Sequence, residues 1–250
     1  MKKPDKTFYT LGYTAGQNPY IAYFWNSNIG LTSSGYYIIE VIGNLSNRRY
    51  RNNPSFYERM FRLVQAANAY NVVDFISSTN NYYQFELGWS IPGNGMTNPL
   101  IYPGLFGFQV LCAVIAPGAF RLYLSGQKIV EVTGTGTTDL SGNCHLFINA
   151  ASDSGAKNFD VCSFRIWNFA SSLPSGWEDE VKRRAMNPWG RSKVFGDSNL
   201  KGEWQIDEDN PYDDGTYFWI INKANPGVGN LQLNYTSNYR GLVKIPYRMP

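Results

Sequence analysis

The chain has 250 residues, 16% of them charged and 16% aromatic, with a formal net charge of +3. A charge that small and that scattered excludes a basic-patch nucleic-acid binder, while 43% hydrophobic residues are enough for a core. No apolar run reaches the roughly 18 residues that a spanning helix needs, and no apolar stretch of secretory type follows the basic start Met1-Lys-Lys-Pro-Asp-Lys6.

Aromatic and β-branched runs bounded by Gly, Asn, Ser and Pro are the pattern of antiparallel strands. Strands are predicted over Phe8–Tyr13, Tyr20–Trp25 and Tyr36–Ile42, and the Asn/Arg-rich insert Gly43–Ser55 reads as a solvated loop. In residues 54–70, Phe56, Met60, Leu63, Val64 and Ala67 fit a helical stripe that Pro54-Ser55 could open. Strand patterns return at Asn71–Ile76 and Tyr82–Trp89, Gly93–Gly104 is a Pro/Gly/Asn loop, and Phe106–Ile115 suits a strand buried on both faces.

Pro117-Gly118 turns the chain into Phe120–Leu124, where Leu122 and Leu124 share one face and Arg121 and Tyr123 the other. Ser125-Gly126 then turns it into Gln127–Val132, and a Gly/Thr-rich connection leads to the strand Phe159–Asn168. One helix is expected near residues 175–186, opened by Ser175-Gly-Trp-Glu178 in capping-box form. Its acids Glu178, Asp179 and Glu180 suit the positive end of the helix dipole, and Lys182, Arg183 and Arg184 suit the negative end. Beyond it come Trp204–Ile206, the acidic turn Asp207–Gly215 and the strand Tyr217–Asn222. Lys223–Pro250, rich in Asn, Gly and Tyr, reads as final strands or a docking arm.

Arg121-Leu-Tyr-Leu-Ser-Gly126, Arg165-Ile-Trp-Asn168 and Leu173-Pro-Ser175, in that order, resemble the pattern of the laminin-G/pentraxin-like branch of the concanavalin A-like lectin/glucanase superfamily. Ser33–Glu40 is similar to that family's early strand, and Leu200–Trp204 with Asp207-Glu208 to its closing one. The resemblance implies an all-β fold: a two-sheet antiparallel jelly-roll β-sandwich with one short helix packed against it. It implies a jelly-roll domain over residues 1–222, leaving 223–250 as C-terminal strands or arm, and it places a strand near Met60–Val64 where the residues alone suggest a helix.

Catalytic chemistry is sparse. Retaining glycosidases need two carboxylates about 5–5.5 Å apart. On this fold they sit on one strand as Glu-x-Asp-x-x-Glu or Glu-x-Asp-x-Glu, and no such run occurs. Glu178-Asp-Glu180 belongs to the helix start and Asp207-Glu-Asp209 to a turn. His145, the one histidine, has no nucleophile elbow to serve and reads as structural. Cys112, Cys144 and Cys162 follow no metal spacing. Cys112 and Cys162 read as buried thiols, with a Cys144–Cys162 bridge as the alternative.

Relatives in this superfamily hold Ca²⁺ at the sandwich rim, with the oxygen ligands a hard cation requires. Where an Asp-Glu pair commonly precedes the Arg-Ile-Trp strand, this chain has Cys162-Ser163, so no metal ligands are assigned. Asp207, Asp209, Asp213 and Asp214 near Gly215 leave Ca²⁺ open beside a solvated acidic turn. Sugar faces stack on aromatic rings. Trp167 and Trp204 fall on motif strands and read as core, whereas Trp177, Trp189, Trp219, Tyr82 and Tyr83 are the candidate ligand-binding residues.

The expectation is a non-catalytic binding or assembly protein. It is a virion structural component such as a phage capsid decoration, fibre or tail protein, assembled in the host cytoplasm and partnered by other virion proteins or its own copies. The alternative is a carbohydrate-binding module of a bacterial glycan-recognition system, extracellular or on the cell surface, with a cell-surface glycan as ligand. Neither nucleic acid nor membrane is an expected partner.

Overall fold

The computed structural model of the chain describes residues 8–13, 23–24, 28–45, 56–65, 68–79, 85–91, 95–96, 100–102, 107–151, 159–188, 190, 194–206, 212–213, 215, 218–233 and 239–245. The first half of these holds β1 (Phe8–Tyr13), β2 (Tyr23–Phe24), β3 (Tyr36–Leu45), β4 (Phe56–Gln65), β5 (Asn68–Thr79), β6 (Phe85–Ile91), β7 (Gly95–Met96), β8 (Leu100–Tyr102) and β9 (Gly107–Ala116). Then follow β10 (Gly118–Leu124), β11 (Gln127–Thr135), β12 (Cys144–Ala151), β13 (Phe159–Phe169) and the helix α1 (Trp177–Met186). The remainder holds β14 (Leu200–Gln205), β15 (Tyr212–Asp213), β16 (Phe218–Ile220), β17 (Leu231–Leu233) and β18 (Tyr239–Ile245).

Two antiparallel sheets form the body. The first runs β11-β10-β9-β3-β13-β14, and the second runs β12-β4-β5-β6-β7 with β8 also on β6. Period-two alternation sends Tyr37, Ile39 and Val41 of β3, Leu111, Ala113 and Ile115 of β9, and Phe164 and Ile166 of β13 into one core. Phe61 and Leu63 of β4 and Cys144 of β12 meet them from the second sheet, with the Phe61 and Phe164 rings 5.5 Å apart and edge-on. The fold is thus the expected antiparallel jelly-roll sandwich with one short helix.

The first sheet is buried on its other face as well. Ile38, Cys112, Val114, Tyr123, Trp167 and Phe169 form a second apolar cluster there with Val181 of α1. This explains why β9 is apolar at every position from Val110 to Ile115: its alternate side chains serve two different cores.

Two smaller sheets complete the arrangement, β1 with β18 and the order β15-β16-β17-β2. Residues near the two ends of the chain are therefore neighbours in space. One edge of the first sheet is closed by a loop. The Asn222 side chain accepts the Glu203 N–H (2.9 Å) and donates to the Lys201 carbonyl (3.2 Å), and the Lys223 N–H donates to the Glu203 carbonyl (2.7 Å). These are outward backbone groups of β14, the edge strand.

Several expectations need correcting. Of the two alternatives within residues 54–70, the helix gives way to the strand that the resemblance implies: Phe56–Gln65 is β4, because Phe61 and Leu63, two residues apart, both enter the core, and Asn68 opens β5. Gly93–Gly104, expected as a loop, contains the short strands β7 and β8. The capping box does not form. Gly176 takes the N-cap position in the left-handed region (φ 73°), so α1 starts at Trp177 with no side-chain cap. The charge gradient along the helix is as expected, with Glu178, Asp179 and Glu180 in its first turn and Arg183 and Arg184 in its last. The Cys144–Cys162 bridge is not made: Cys112, Cys144 and Cys162 are buried thiols outside any disulfide.

Tyr37 and Cys144 predict the alkaline behaviour. The buried Tyr37 hydroxyl donates to the Thr32 carbonyl and accepts the Leu140 N–H (3.1 Å). Burial foremost pushes its pKa up to about 12, and burial likewise lifts the Cys144 thiol to about 12. Both groups keep their protons longer in the folded chain, so stability falls with rising pH above their unfolded values of about 8.5 for Cys and 10 for Tyr. Urea midpoints measured across pH 9 to 12 should decline, and Tyr37→Phe should flatten the upper part of that decline. An unchanged slope in Tyr37→Phe would refute the assignment.

Candidate functional site

The two sequence motifs meet on the outer face of the first sheet. In Arg165-Ile-Trp-Asn168, alternation sends Ile166 into the inter-sheet core and turns Arg165 and Trp167 toward α1. Arg165 lies opposite Glu40 on β3 and opposite Glu203 on β14. Its guanidinium reaches Glu40 at 2.6 Å, Glu203 at 2.8 Å and the Pro188 carbonyl at 3.0 Å. From α1, Arg184 donates to both Glu40 oxygens at 2.8 Å and sits 5.1 Å from the Trp167 ring centroid.

Burial by itself would raise the Glu40 carboxyl, but Arg184 and then Arg165 outweigh it and hold it below the usual carboxylate range. Asn168 fastens the loop before β3. It accepts the Thr32 N–H (2.7 Å) and hydroxyl (3.0 Å), and donates to Ser34 Oγ (3.0 Å) and the Tyr36 carbonyl (3.1 Å). Every residue of this motif has a structural task, and its charges are spent on one another.

The other motif builds a corner that does reach solvent. Ser125 and Gly126 form the two-residue β10–β11 turn, both in the left-handed region (φ 46° and 84°). A Cβ on Gly126 would lie 3.2 Å from Ala185 Cβ and 3.5 Å from the Lys182 carbonyl, so the turn rests directly on α1. Glycine at this place satisfies both the backbone angle and the close approach.

At that corner Trp177 is half-buried, its ring edge-on to Tyr123 at 6.2 Å with the Arg121 guanidinium 5.7 Å from its centroid. Charged side chains surround it. Arg121 and Lys128 each hold Glu131 at 2.7 Å, and Lys182 pairs with Glu178 at 3.3 Å. The hydrogen bond from Lys128 foremost lowers the Glu131 carboxyl, and Lys182 does the same for Glu178. Lys128 also acts on Glu178 electrostatically, which ties the hairpin charges to the helix charges. Tyr123 is buried, and its hydroxyl lies beside Glu178 without hydrogen-bond geometry to any partner. An apolar ring flanked by fixed donors and acceptors can recognise a ligand that has both apolar and hydroxylated surfaces.

Of the other aromatic candidates, Trp219 is half-buried on β16, between Tyr212 on β15 and Gln232 on β17, in a different sheet from the corner. Trp189, Tyr82 and Tyr83 lie outside the described residues. Trp167 and Trp204 are fully buried, as expected of core residues. Asp207, Asp209 and Asp214 also fall outside the described residues, and among those described no three His, Cys, Asp or Glu side chains converge as metal ligands. His145 lies on β12 opposite Val64 of β4.

Sequence reasoning missed Arg121, Lys128, Glu131, Glu178 and Lys182 as companions of Trp177. The Ser125-Gly126 turn is a signal that Arg121 faces the start of β11. A register shift between Leu122 and Tyr123 then moves Arg121 onto Glu131, and no residue pattern announces that shift.

No known family matches the sequence, and no curated protein does. A solved structure from Bacteroides ovatus, described as a proposed carbohydrate-binding protein, is similar over 99% of this chain at 12% identity, with a TM-score of 0.57. The chain spans 62% of that protein's length. A heptameric SAP-like pentraxin from Limulus polyphemus is similar over 71% of this chain and 82% of its own, at 12% identity and TM-score 0.49. Tailspike protein 2 of an Escherichia coli O157:H7 bacteriophage is similar over 82% of this chain and 30% of its own, at 10% identity and TM-score 0.47. At such identities these likenesses concern the fold and carry nothing about a ligand.

Proposed function

We propose that the chain is a non-catalytic recognition module that binds carbohydrate at the corner between the β10–β11 hairpin and α1. The observation that carries this reading is Trp177, a half-buried ring steadied by Tyr123 and Arg121 and bordered by ion-paired carboxylates and ammonium groups. The C–H face of a pyranose stacks on such a ring while its hydroxyls exchange hydrogen bonds with the charged rim. Glu40, Glu131 and Glu178 are all held below the usual carboxylate range. A glycosidase general acid needs the opposite shift, which supports binding without turnover.

Trp177→Ala should weaken glycan binding by about 10- to 30-fold, the scale of an interface hot spot. Because the ring is only half-buried, the urea midpoint should change far less than it would for a core tryptophan. A glycan array run with and without EDTA is the direct test, and it also shows whether Ca²⁺ takes part. Failure of the wild-type protein to bind any glycan in either arm rejects the reading. Trp219, Trp189, Tyr82 and Tyr83 are secondary candidates, to be ranked by single alanine variants.

A second reading is a virion structural component that assembles with other virion proteins or with its own copies. Its support is the set of three buried thiols outside any disulfide, which suits a protein folded in a reducing host cytoplasm. Mass spectrometry of purified particles tests it, and absence of the chain from them rejects it.

A further inference from the structure

We propose that α1 is a latch: a unit held to the sandwich by the buried Glu40–Arg184 pair that opens locally while both sheets stay folded, and whose opening uncovers the thiol of Cys112. The inference does not depend on what Trp177 binds.

Little of the helix is buried. Of its ten residues only Val181 and Arg184 are buried. A helix that short is marginal alone in water, so its place is set by what it touches. What it touches is a small apolar patch, where Val181 and Trp177 pack on the outer cluster, and a hub of charge. Arg184 grips both oxygens of Glu40 and lies over Trp167. Just past the helix end, the Pro188 carbonyl is held by Arg165, which shares Glu40 Oε1. One carboxylate on β3 therefore fastens the C-terminal end of α1 through two guanidiniums.

The inter-sheet core, by contrast, contains no residue of α1. Its apolar contacts survive when the helix lifts. Proteins open in cooperative units graded by local stability, and a short element attached through two apolar side chains and one ion-paired hub is drawn from the weak end.

Cys112 supplies the readout. It lies opposite Glu40 in the β3–β9 register and belongs to the cluster that Val181 covers. Cys144 belongs instead to the inter-sheet core, and Cys162 is not part of the cluster beneath the helix.

The test is the rate at which a small disulfide reagent modifies each thiol under native conditions, resolved by mass spectrometry, together with hydrogen exchange of the α1 amides. Cys112 in the wild type should react ahead of Cys144 and Cys162, in step with α1 exchange. Glu40→Gln and Arg184→Met should each speed Cys112 by about a hundredfold or more, as expected when a buried ion pair is broken, with smaller effects on Cys144. Arg184→Met separates opening from a direct charge effect, because losing a cation beside the thiol would by itself slow the reaction. A common rate for all three thiols in the wild type, or parallel acceleration of all three in the variants, overturns the proposal. If a variant fails to fold, the order of reaction in the wild type decides.

Discussion

Glu40→Gln lowers the unfolding free energy by roughly 3–5 kcal/mol, the usual penalty for leaving buried charge without its counter-charge. Glutamine keeps the shape of the side chain but offers Arg165 and Arg184 a neutral amide in place of a carboxylate. Arg165, Arg184 and Glu40 are 2%, 4% and 2% exposed, so water cannot replace what is lost. For a chain of this length the thermal midpoint should fall by about 2–4 °C for each kcal/mol.

The pH dependence adds a second signature. The Glu40 carboxyl is depressed in the folded chain, so its contribution is complete above the unfolded value of about 4.3 and is lost as pH drops through the folded one. The acid limb of the stability curve should therefore be shallower in Glu40→Gln than in the wild type. A loss below about 1 kcal/mol at neutral pH would put the pair on the scale of a surface salt bridge and refute the buried account. Replacing Glu40 and Arg184 together by apolar residues of similar size should recover much of the loss, because Arg165 keeps Glu203 as its counter-charge and uncompensated charge is the costly species.

Trp204→Ala is the second large effect, at about 3–5 kcal/mol. The indole is fully buried, stacked on Phe164 with centroids 4.7 Å apart, and its Nε1 donates to the Gly229 carbonyl at 2.9 Å. It covers Gly202 so closely that a Cβ there would overlap the ring. Alanine would leave a cavity in the core and remove the indole donor to the Gly229 carbonyl. Trp204→Phe keeps most of the packing and loses the donor, so it should cost only the roughly 0.5–1.5 kcal/mol of one hydrogen bond. Urea unfolding monitored by circular dichroism separates the two. Equal losses in both variants would mean that the hydrogen bond, not the ring, is what Trp204 contributes.

Much of this architecture is legible in the chain because period two is hard to disguise. Phe8–Tyr13 was delimited as β1 is, and the apolar run ending at Ile115 and the Leu122/Leu124 alternation mark strands whose burial follows directly. The helix showed through its charge gradient even though its cap did not form. In β4, however, Phe56, Met60, Leu63 and Val64 fit a helical spacing equally well, and only pairing with β5 and β12 decides between the two periods. In the chain, Arg184 reads only as one of three cations suited to the negative end of the helix dipole. Its burial depends on Glu40, 144 positions away, and such a partnership leaves no local trace. The corner around Trp177 is half legible: Trp177 stands out by type, but its charged rim comes from two elements joined through a shifted register.

The Asn222 closure of β14 limits what sheets of this protein can become. Strand addition needs a row of vacant N–H and C=O groups, and on β14 the Glu203 amide and carbonyl and the Lys201 carbonyl are already taken. Growth by edge pairing through the first sheet is then confined to its opposite side, along β11. A sheet with one usable edge can form a closed pair with a second copy, but it cannot itself propagate a continuous ribbon. Asn222 thus acts, with the Lys223 backbone, as a chain terminator on this edge, and an alanine in its place would release the Glu203 amide and the Lys201 carbonyl while the Lys223 bond to the Glu203 carbonyl stays.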